Sequence, residues 1–262
     1  MTQLTFKRKI LALVLVILVC GAGAGWVLNQ SSNKFVPSQV SSFLPYHPEW
    51  DVPFTKDQER SLHQALGQPF HYLAAGSQSF AFLSQDGKYV IKFFRSPPLG
   101  NTKKSIKRRE KLEAALAIYH MAYEEFRDDA GLLFVHLNPT HRLQKTVMVV
   151  TASGKEYLID LDRAPFIIQE RAELIFDRFK KLVEQGDAQG LKRSVTAVLD
   201  LVERRIDKGL TDDDKAVTHN YGFVGDRAVH FDIGRVCKGA REGEYETVAK
   251  RIDKWLLEDA EK

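Results

Sequence analysis

The sequence predicts an α+β fold: an antiparallel sheet with one inserted helix, then helices around a small hairpin, all preceded by one apolar helix. Three observations predict it. Short aromatic and β-branched runs separated by turn residues occur between positions 70 and 94, which is typical of strands. Apolar residues recur at helical spacing in 103–130 and 174–206. Residues 10–28 form an unbroken apolar run, and the 27% charged content of the whole chain excludes wholesale disorder.

The N-terminal segment joins a basic flank, residues 1–9, to the apolar run 10–28. Lys7, Arg8 and Lys9 end the flank, and nineteen residues without a strongly polar side chain follow. As a helix this run would be about 28 Å long, close to the ~30 Å hydrocarbon core of a bilayer. We therefore expect a transmembrane helix or a signal peptide at 10–28, through which the chain meets a membrane.

Three interpretations of this run stay open. An uncleaved single-pass anchor is the first, and Trp26 suits its membrane interface. A cleaved signal peptide is the second, with Ile10–Val19 as its apolar core and Ala22–Ala24 as its cleavage site. A lipid attached to Cys20 is the third. In every case the basic flank stays in the cytoplasm, so the folded domain is predicted to be extracytoplasmic.

Charge and cysteine content exclude two classes of protein. The net charge is +4, of which +3 falls in residues 1–30, so 4 − 3 = +1 remains for the rest of the chain and no nucleic-acid partner is expected. Cys20 and Cys237 are the only cysteines. They provide no disulfide framework and no cysteine-based zinc site.

Composition also predicts the domain order. Residues 29–54 are rich in serine and proline and predict a tether, so the folded domain is expected to span 55–262. The predicted strands are Phe70–Leu73, Phe80–Leu83, Tyr89–Phe94, Leu132–Leu137, Lys145–Thr151, Glu156–Leu161, Phe166–Glu170, Tyr221–Val224 and Ala228–Phe231. The predicted helices are Thr55–Leu66, 103–130, two within Leu174–Ile206 broken near Gly186–Gly190, and a last one containing Val248, Ile252, Trp255 and Leu256.

Two oxygen-bearing side chains flank the last predicted hairpin. Asn220 precedes its first strand and Asp232 follows its second. Because both positions lie at the same end of the hairpin, an amide oxygen and a carboxylate are expected side by side. Mg²⁺ prefers such oxygen ligands, completed by phosphates and water. Taken alone, both residues are also ordinary turn residues.

A lysine and a glycine-containing turn point to an anion nearby. Lys92 lies within the apolar strand Tyr89–Phe94, so its ammonium group must face solvent or a partner anion. The turn Gly76–Ser79, which includes Ser77, joins the first two strands. Exposed backbone N–H groups in such a turn are suited to cover phosphates.

The order of these parts resembles the protein-kinase-like superfamily, including the aminoglycoside-phosphotransferase type of small bacterial kinase. Val90–Lys92 is similar to the family's strand-three Val-Ala-Ile-Lys, Asp232–Gly234 to its Asp-Phe-Gly, and Asn220 to its metal-binding asparagine. The resemblance implies a two-lobed fold, with a sheet-containing N-lobe at about 68–170 and a shortened helical C-lobe at about 171–262. It further implies ATP and Mg²⁺ as cofactors.

The resemblance also implies roles for individual residues. Lys92 would contact the α- and β-phosphates, and Asn220 and Asp232 would hold Mg²⁺. The remaining implied nucleotide-binding residues are Gly76 and Ser77 in the first turn and Gln169 and Glu170 in the hinge strand, against which adenine would stack. Glu125 is expected to pair with Lys92, with Glu113 and Glu124 as alternatives.

The sequence departs from the family pattern at three places. The first turn has one glycine, Gly76, where the family usually has three. The position of the catalytic aspartate, five residues before Asn220, holds Lys215, so Asp214 becomes the candidate base for an acceptor hydroxyl. Only Val236–Lys262 follows the Asp-Ile-Gly-Arg segment, whereas protein kinases need several helices there to dock a peptide substrate.

Two functions are therefore expected as alternatives. The first is an ATP- and Mg²⁺-dependent phosphotransferase that acts on an unknown acceptor and uses Asp214 and Lys92 as catalytic residues. The second is a pseudokinase that binds nucleotide or a protein partner without turnover. The retained Lys92, Asn220 and Asp232 favour the enzyme, whereas Lys215 and an extracytoplasmic location, where ATP is scarce, favour the pseudokinase.

Overall fold

The structure is a computed structural model that describes residues 35–53, 55–97, 100–213, 217–239 and 242–258. Within these ranges no helix has both the length and the hydropathy needed to cross a membrane. The predicted transmembrane helix or signal peptide at 10–28 and the candidate base Asp214 lie outside the described residues. The chain from Pro37 onward forms one compact unit.

The described elements are runs of consecutive strands separated by helices. The helices are α1 Lys56–Leu66, α2 Lys103–Glu125, α3 Ile175–Glu184, α4 Ala188–Asp207, α5 Val217–Asn220 and α6 Glu244–Glu258. The strands are β1 Phe70–Ala75, β2 Ser79–Ser84, β3 Tyr89–Phe94, β4 Leu132–His136, β5 Thr146–Val150, β6 Glu156–Asp160, β7 Phe166–Glu170, β8 Glu173–Leu174, β9 Leu210–Asp212, β10 Tyr221–Val224, β11 Arg227–His230 and β12 Val236–Lys238. This content confirms the α+β prediction.

Seven strands form the main sheet, in the order β4-β7-β3-β2-β1-β5-β6. The predicted meander is present, because β1 pairs with β2 and β2 with β3, both antiparallel. Gly87, with φ at +71°, closes the β2–β3 turn in the left-handed region that glycine adopts readily. The β5–β6 hairpin extends the far edge through a parallel contact of β5 with β1, which the sequence pattern does not predict.

The register of β3 on β7 decides which side chains share a face. Directly opposed residues in an antiparallel pair point to the same side of the sheet. One face therefore carries Lys92 beside Gln169, and the other carries an aromatic core in which the Phe93 and Phe166 rings lie 6.0 Å apart. The opposed pairs are Val90–Gln169 and Lys92–Ile167 on the first face, and Ile91–Ile168 and Phe93–Phe166 on the second.

The prediction of a tether at 29–54 is wrong for residues 37–53, which pack onto the domain. Asn138 accepts a hydrogen bond from the backbone N–H of His47 at 2.9 Å and donates to the His47 carbonyl at 2.7 Å. Serine and proline dominate the composition, but the few apolar residues between them carry the packing. The buried side chains of this segment are Val40, Leu44, Trp50 and Val52.

Helix α2 ends earlier than the predicted residue 130. The backbone of Phe126 leaves the helical region at φ −150°, so the helix stops at Glu125. A second turn follows, in which the Ala130 N–H donates to the Phe126 carbonyl at 3.0 Å. Gly131, with φ at +62°, ends that turn rather than the helix itself.

The helical half packs around the small hairpin. Gly186, at φ +68°, separates α3 from α4 at the predicted break. β10 pairs with β11 and also with β8, while β9 pairs with β12. Leu210 of β9, Val236 of β12 and Ile233, which lies between β11 and β12, belong to the buried cluster that contains Leu116 and Tyr119 of α2. The sheet-containing and helical halves therefore share buried side chains.

His136 at the end of β4 makes stability depend on pH. Burial lowers its pKa to about 4; Asp162 and Asp51 oppose this lowering, and Arg142 adds to it. The imidazole stays neutral against Phe166, and its Nε2 has no hydrogen-bond partner among the described residues. As pH falls, the unfolded chain takes up the proton first, so the stability contributed by the neutral ring is complete above about pH 6.5 and is lost towards pH 4.

We expect His136→Phe to flatten this pH dependence. The wild-type chain should lose up to about 3 kcal/mol from this group between pH 6.5 and pH 4, at ~1.4 kcal/mol per pH unit. The variant should lack this component. Urea unfolding of both proteins across that range measures it, with exposed His71→Phe as the control. Parallel profiles for wild type and His136→Phe would contradict the assignment.

Candidate functional site

The Lys92 side chain extends from β3 to the segment that follows β11 in the helical half. Lys92 is 8% exposed, and its Nζ donates to the Phe231 carbonyl at 2.9 Å, immediately before Asp232 in the chain. Burial lowers the pKa of the Lys92 amine, and the Asp232 carboxylate opposes that lowering. The lysine of β3 and the aspartate after β11 therefore meet at one point, as the motifs imply.

The backbones of Asn220 and Asp232 meet at one end of the β10–β11 hairpin. The Asn220 carbonyl accepts the backbone N–H groups of Phe231 at 2.9 Å and Asp232 at 3.4 Å, which fixes the open end of the β10–β11 hairpin. The Asn220 side chain is buried, and its Nδ2 has no hydrogen-bond partner among the described residues. Asp232 is exposed. An orphaned amide and an accessible carboxylate thus share one end of the hairpin.

These two side chains fit a Mg²⁺ ion that is also bound by phosphate. Mg²⁺ in proteins commonly takes one or two carboxylate or amide oxygens and completes its shell with phosphates and water. Among the described residues, no group of three or more histidine, cysteine, aspartate or glutamate side chains is arranged to hold a metal ion. The bound cation would neutralise charge on a phosphate chain held near Lys92.

The predicted pair of Glu125 with Lys92 is not formed. The Glu125 carboxylate lies 3.0 Å from Lys238 Nζ, at the exposed end of α2. The prediction placed Glu125 on a face set by Ile118, but Ile118 is only partly buried. The buried stripe runs one residue further along, through Leu112, Ala115, Leu116, Tyr119, Ala122 and Tyr123.

Tyr119 of α2 lies close enough to the site for the Asp232 charge to affect its pKa. The sequence pattern did not single it out as a site residue. Its ring packs on Phe94, two residues beyond Lys92, with centroids 5.1 Å apart. Burial and then the Asp232 charge raise its pKa well above the usual range, so Tyr119 is neutral. Neither alternative, Glu113 nor Glu124, has a described ion pair to Lys92. A stripe counted from Leu112 and Leu116 would have pointed to Tyr119.

Replacing Glu125 is expected to have little effect. Its pair with Lys238 is largely exposed, with 36% and 72% of the two side chains accessible. We expect Glu125→Gln to change the free energy of unfolding by less than about 0.5 kcal/mol. Nucleotide-dependent stabilisation should also be unchanged. A loss of that stabilisation, measured by thermal unfolding, would mean that Glu125 turns towards Lys92 when ligand binds.

The two hinge residues point in opposite directions. Gln169 is buried beside Lys92; its Nε2 donates to the Ala130 carbonyl at 2.9 Å and to the Phe231 carbonyl at 3.1 Å. Glu170 faces the other side of the sheet and pairs with Arg227. Gln169 thus shares the Lys92 face of the sheet, whereas the Glu170 carboxylate is directed away from it, because successive strand residues alternate in direction. Their role as adenine-binding hinge residues stays a prediction.

The turn Gly76–Ser79 is held by one hydrogen bond within it and by hydrogen bonds from Arg95. The Gly76 N–H donates to the Ser79 carbonyl at 2.9 Å, so this donor is already used within the turn; Ser77 is exposed. Arg95, just after β3, donates from Nε to the Gly76 carbonyl at 3.0 Å. Its backbone N–H bonds the Gln78 carbonyl at 2.8 Å. The sequence analysis missed Arg95, whose only signal is its position at a strand end.

Gln78 links this turn to the Asp-Ile-Gly segment. A Cβ added to Gly234 would lie 2.6 Å from Gln78 Oε1, which shows that the amide approaches the glycine backbone closely. The same added atom would lie 4.0 Å from Asp232 Oδ1. The turn therefore sits over the aspartate, and any larger residue at Gly234 displaces Gln78.

A buried charged network lies beneath the catalytic-loop position. Glu244 of α6 pairs with Arg205 of α4 and accepts Thr211 Oγ1 at 2.8 Å and the Asp212 N–H at 3.1 Å. Asp212 Oδ2 lies 3.3 Å from His230 Nε2, and both side chains are buried. Asp212 is therefore a buried residue that anchors β9, two positions before Asp214 in the chain.

No family model and no curated protein matches the chain. Solved structures that match the chain include the following two. One is WbdD, described as a bifunctional kinase-methyltransferase and solved with a kinase inhibitor: 12% identity and a TM-score of 0.37 over 71% of this chain and 36% of that chain. The chain thus spans about a third of WbdD.

A second match is the aminoglycoside-type protein APH(2")-IIa, solved in a ternary complex with streptomycin and ATP. It is 14% identical, with a TM-score of 0.29 over 80% of this chain and 88% of that chain. Both TM-scores are below 0.5.

Proposed function

We propose that this chain is a kinase-like phosphotransferase that binds ATP with Mg²⁺ where β3 meets the β10–β11 hairpin. The observation that carries the proposal is the 2.9 Å hydrogen bond from Lys92 Nζ to the Phe231 carbonyl, because it brings the lysine to the residue before Asp232. In this proposal Lys92 holds phosphate oxygens, and Asn220 and Asp232 hold the cation. Asp214 accepts the proton of the acceptor hydroxyl.

A second candidate is a nucleotide-binding pseudokinase, and three contacts favour it. Lys92 and Gln169 both donate to the Phe231 carbonyl, so the lysine is engaged by the backbone. Neutral Tyr119 supplies no carboxylate to hold Lys92 towards phosphate. The Gly76 N–H is used inside its own turn. All three describe a site that must rearrange before it transfers a phosphoryl group.

Thermal unfolding of the full chain with ATP, with and without Mg²⁺, tests both candidates. At ~100 times its dissociation constant a ligand adds about 2.7 kcal/mol of stability. No shift with either condition would overturn both. A Mg²⁺-dependent shift with ATP consumption that Asp214→Asn removes supports the enzyme, and a shift without consumption supports the pseudokinase.

We further propose that residues 10–28 attach the chain to a membrane with its N-terminus in the cytoplasm. The support is the cluster Lys7, Arg8 and Lys9, against Lys34 and Lys56 in the distal flank. A reporter fused after Lys262 should be active only outside the cytoplasm, and that result would favour the pseudokinase. A cytoplasmic reporter would reverse the topology and favour the enzyme, since ATP is then abundant. Recovery of the chain without residues 1–24 would identify the run as a signal peptide.

A further inference from the structure

A cavity of about 730 Å³ lies between α1 and the neighbouring edge of the sheet. We name it the α1 cavity, and its lining includes Leu62 and Ala65 of α1, Leu132 and Phe134 of β4, and Ile168 of β7. Its volume falls in the range of about 300–1,000 Å³ that small-molecule sites occupy. The cavity is therefore large enough for an aromatic or short aliphatic ligand.

The α1 cavity is separate from the Lys92 site. Ile168 lies opposite Ile91 and Glu170 opposite Tyr89, whereas Lys92 lies opposite Ile167. Since neighbouring residues of a strand point to opposite faces, the cavity-lining side chains of β7 face away from Lys92.

The mouth of the α1 cavity carries positive charge. Lys88, Arg127 and Arg171 line it, together with the acids Asp128 and Glu170. Glu170 is already paired with Arg227, a residue outside the lining. Asp128 is 85% exposed and lies 3.6 Å from Arg127, so it neutralises that guanidinium only weakly.

Arg171 is one of the lining cations whose side chain has no hydrogen bond or ion pair with a described residue, and Lys88 is another. Arg171 is exposed, and its backbone N–H donates to the Lys88 carbonyl at 2.8 Å, which holds the residue at the end of β7. Within the described ranges no acid or carbonyl bonds its guanidinium. A guanidinium presents a planar fork that binds a carboxylate or a phosphate through two parallel hydrogen bonds.

We propose that the α1 cavity binds a small amphipathic anion, with an apolar body against Leu62, Phe134 and Ile168 and one carboxylate or phosphate group at Arg171. The apolar floor and the cationic mouth select for both parts of such a molecule at once. Neither part alone would use the whole cavity. The site is distinct from the proposed nucleotide site and does not depend on it.

Calorimetric titration of the full chain with 2-naphthoate, 2-naphthyl phosphate and uncharged 2-methoxynaphthalene tests the proposal. We expect the better of the two anions to bind at least about tenfold more tightly than 2-methoxynaphthalene. The uncharged compound cannot accept a charge-assisted hydrogen bond from Arg171. Whether the carboxylate or the phosphate binds better identifies the head group. ATP·Mg²⁺ should not displace the anion.

Two variants locate the binding. Arg171→Gln should weaken the anion about tenfold, with Arg193→Gln on exposed α4 as its control. Leu133→Glu, at a 38% exposed lining position, should weaken it several-fold through charge repulsion, with Leu158→Glu, 64% exposed on β6, as its control. Unchanged affinity in both variants, displacement by ATP·Mg²⁺, or no binding of either anion by the wild-type chain would overturn the proposal.

Discussion

Glu244→Gln is expected to lower the free energy of unfolding by about 3–5 kcal/mol, because it removes one partner of a buried ion pair and leaves the other charge uncompensated. Arg205 is 3% exposed at the side chain and Glu244 is 7% exposed, so water cannot replace the lost interaction. The carboxylate also accepts from Thr211 and the Asp212 backbone, so β9 loses its anchor at the same time.

Urea unfolding measures this loss as a shift of the midpoint concentration, provided that the dependence of the unfolding free energy on urea concentration keeps the same slope. Glu258→Gln on the same helix is the matched control, since its pair with Lys254 is exposed on both sides and should be worth less than about 0.5 kcal/mol. The double variant Arg205→Met with Glu244→Met should recover part of the loss, because no buried charge of the pair then remains. A Glu244→Gln variant as stable as Glu258→Gln would contradict the burial of this network.

Asp232→Asn is expected to remove Mg²⁺-dependent stabilisation by ATP, about 2.7 kcal/mol at ~100 times the wild-type dissociation constant. In the proposed site the exposed Asp232 carboxylate is the charged ligand of the cation. Its loss also leaves Lys92 without the charge that opposes the lowering of its pKa. Folding should be unaffected, since the side chain is accessible.

Thermal unfolding with ATP, with and without Mg²⁺, measures this effect. Asp226→Asn is the matched control because Asp226 lies at the closed end of the same hairpin, where its 99% exposed carboxylate pairs with Arg178. The control should keep the full Mg²⁺-dependent shift. Equal shifts in the two variants would show that Asp232 does not hold the cation.

The strands were predictable because their apolar alternation and turn residues are local signals. The Asp86–Gly87 turn and the pairing of β2 with β3 follow from such signals alone. The convergence of Lys92 with Asp232 was predictable only through the resemblance, since the two residues are far apart in sequence. Their meeting point, the Phe231 carbonyl, is a backbone atom that no residue pattern specifies.

The errors have physical causes that a single sequence hides. Glu125 was assigned inward by counting from Ile118, and a shift of one residue turns a helix by about 100°, enough to move a carboxylate from core to solvent. Residues 37–53 were predicted as a tether from composition, but burial is decided by a few side chains such as Trp50. The apolar stripe of α2 could have placed Tyr119 on the buried face, but it could not mark Tyr119 as a site residue, because an aromatic residue in such a stripe is usually only core.

Chemical labelling of Lys92 tests the central claim most directly. An acyl-phosphate derivative of ATP transfers its acyl group to a lysine amine held near the phosphates, forming an amide and releasing ATP. Burial lowers the pKa of Lys92, which favours the neutral, nucleophilic amine. Peptide mass spectrometry of the full chain should find the acyl group on Lys92, and excess ATP with Mg²⁺ should prevent it. Labelling confined to surface lysines such as Lys155, equal with and without ATP, would contradict a nucleotide site at Lys92, Asn220 and Asp232.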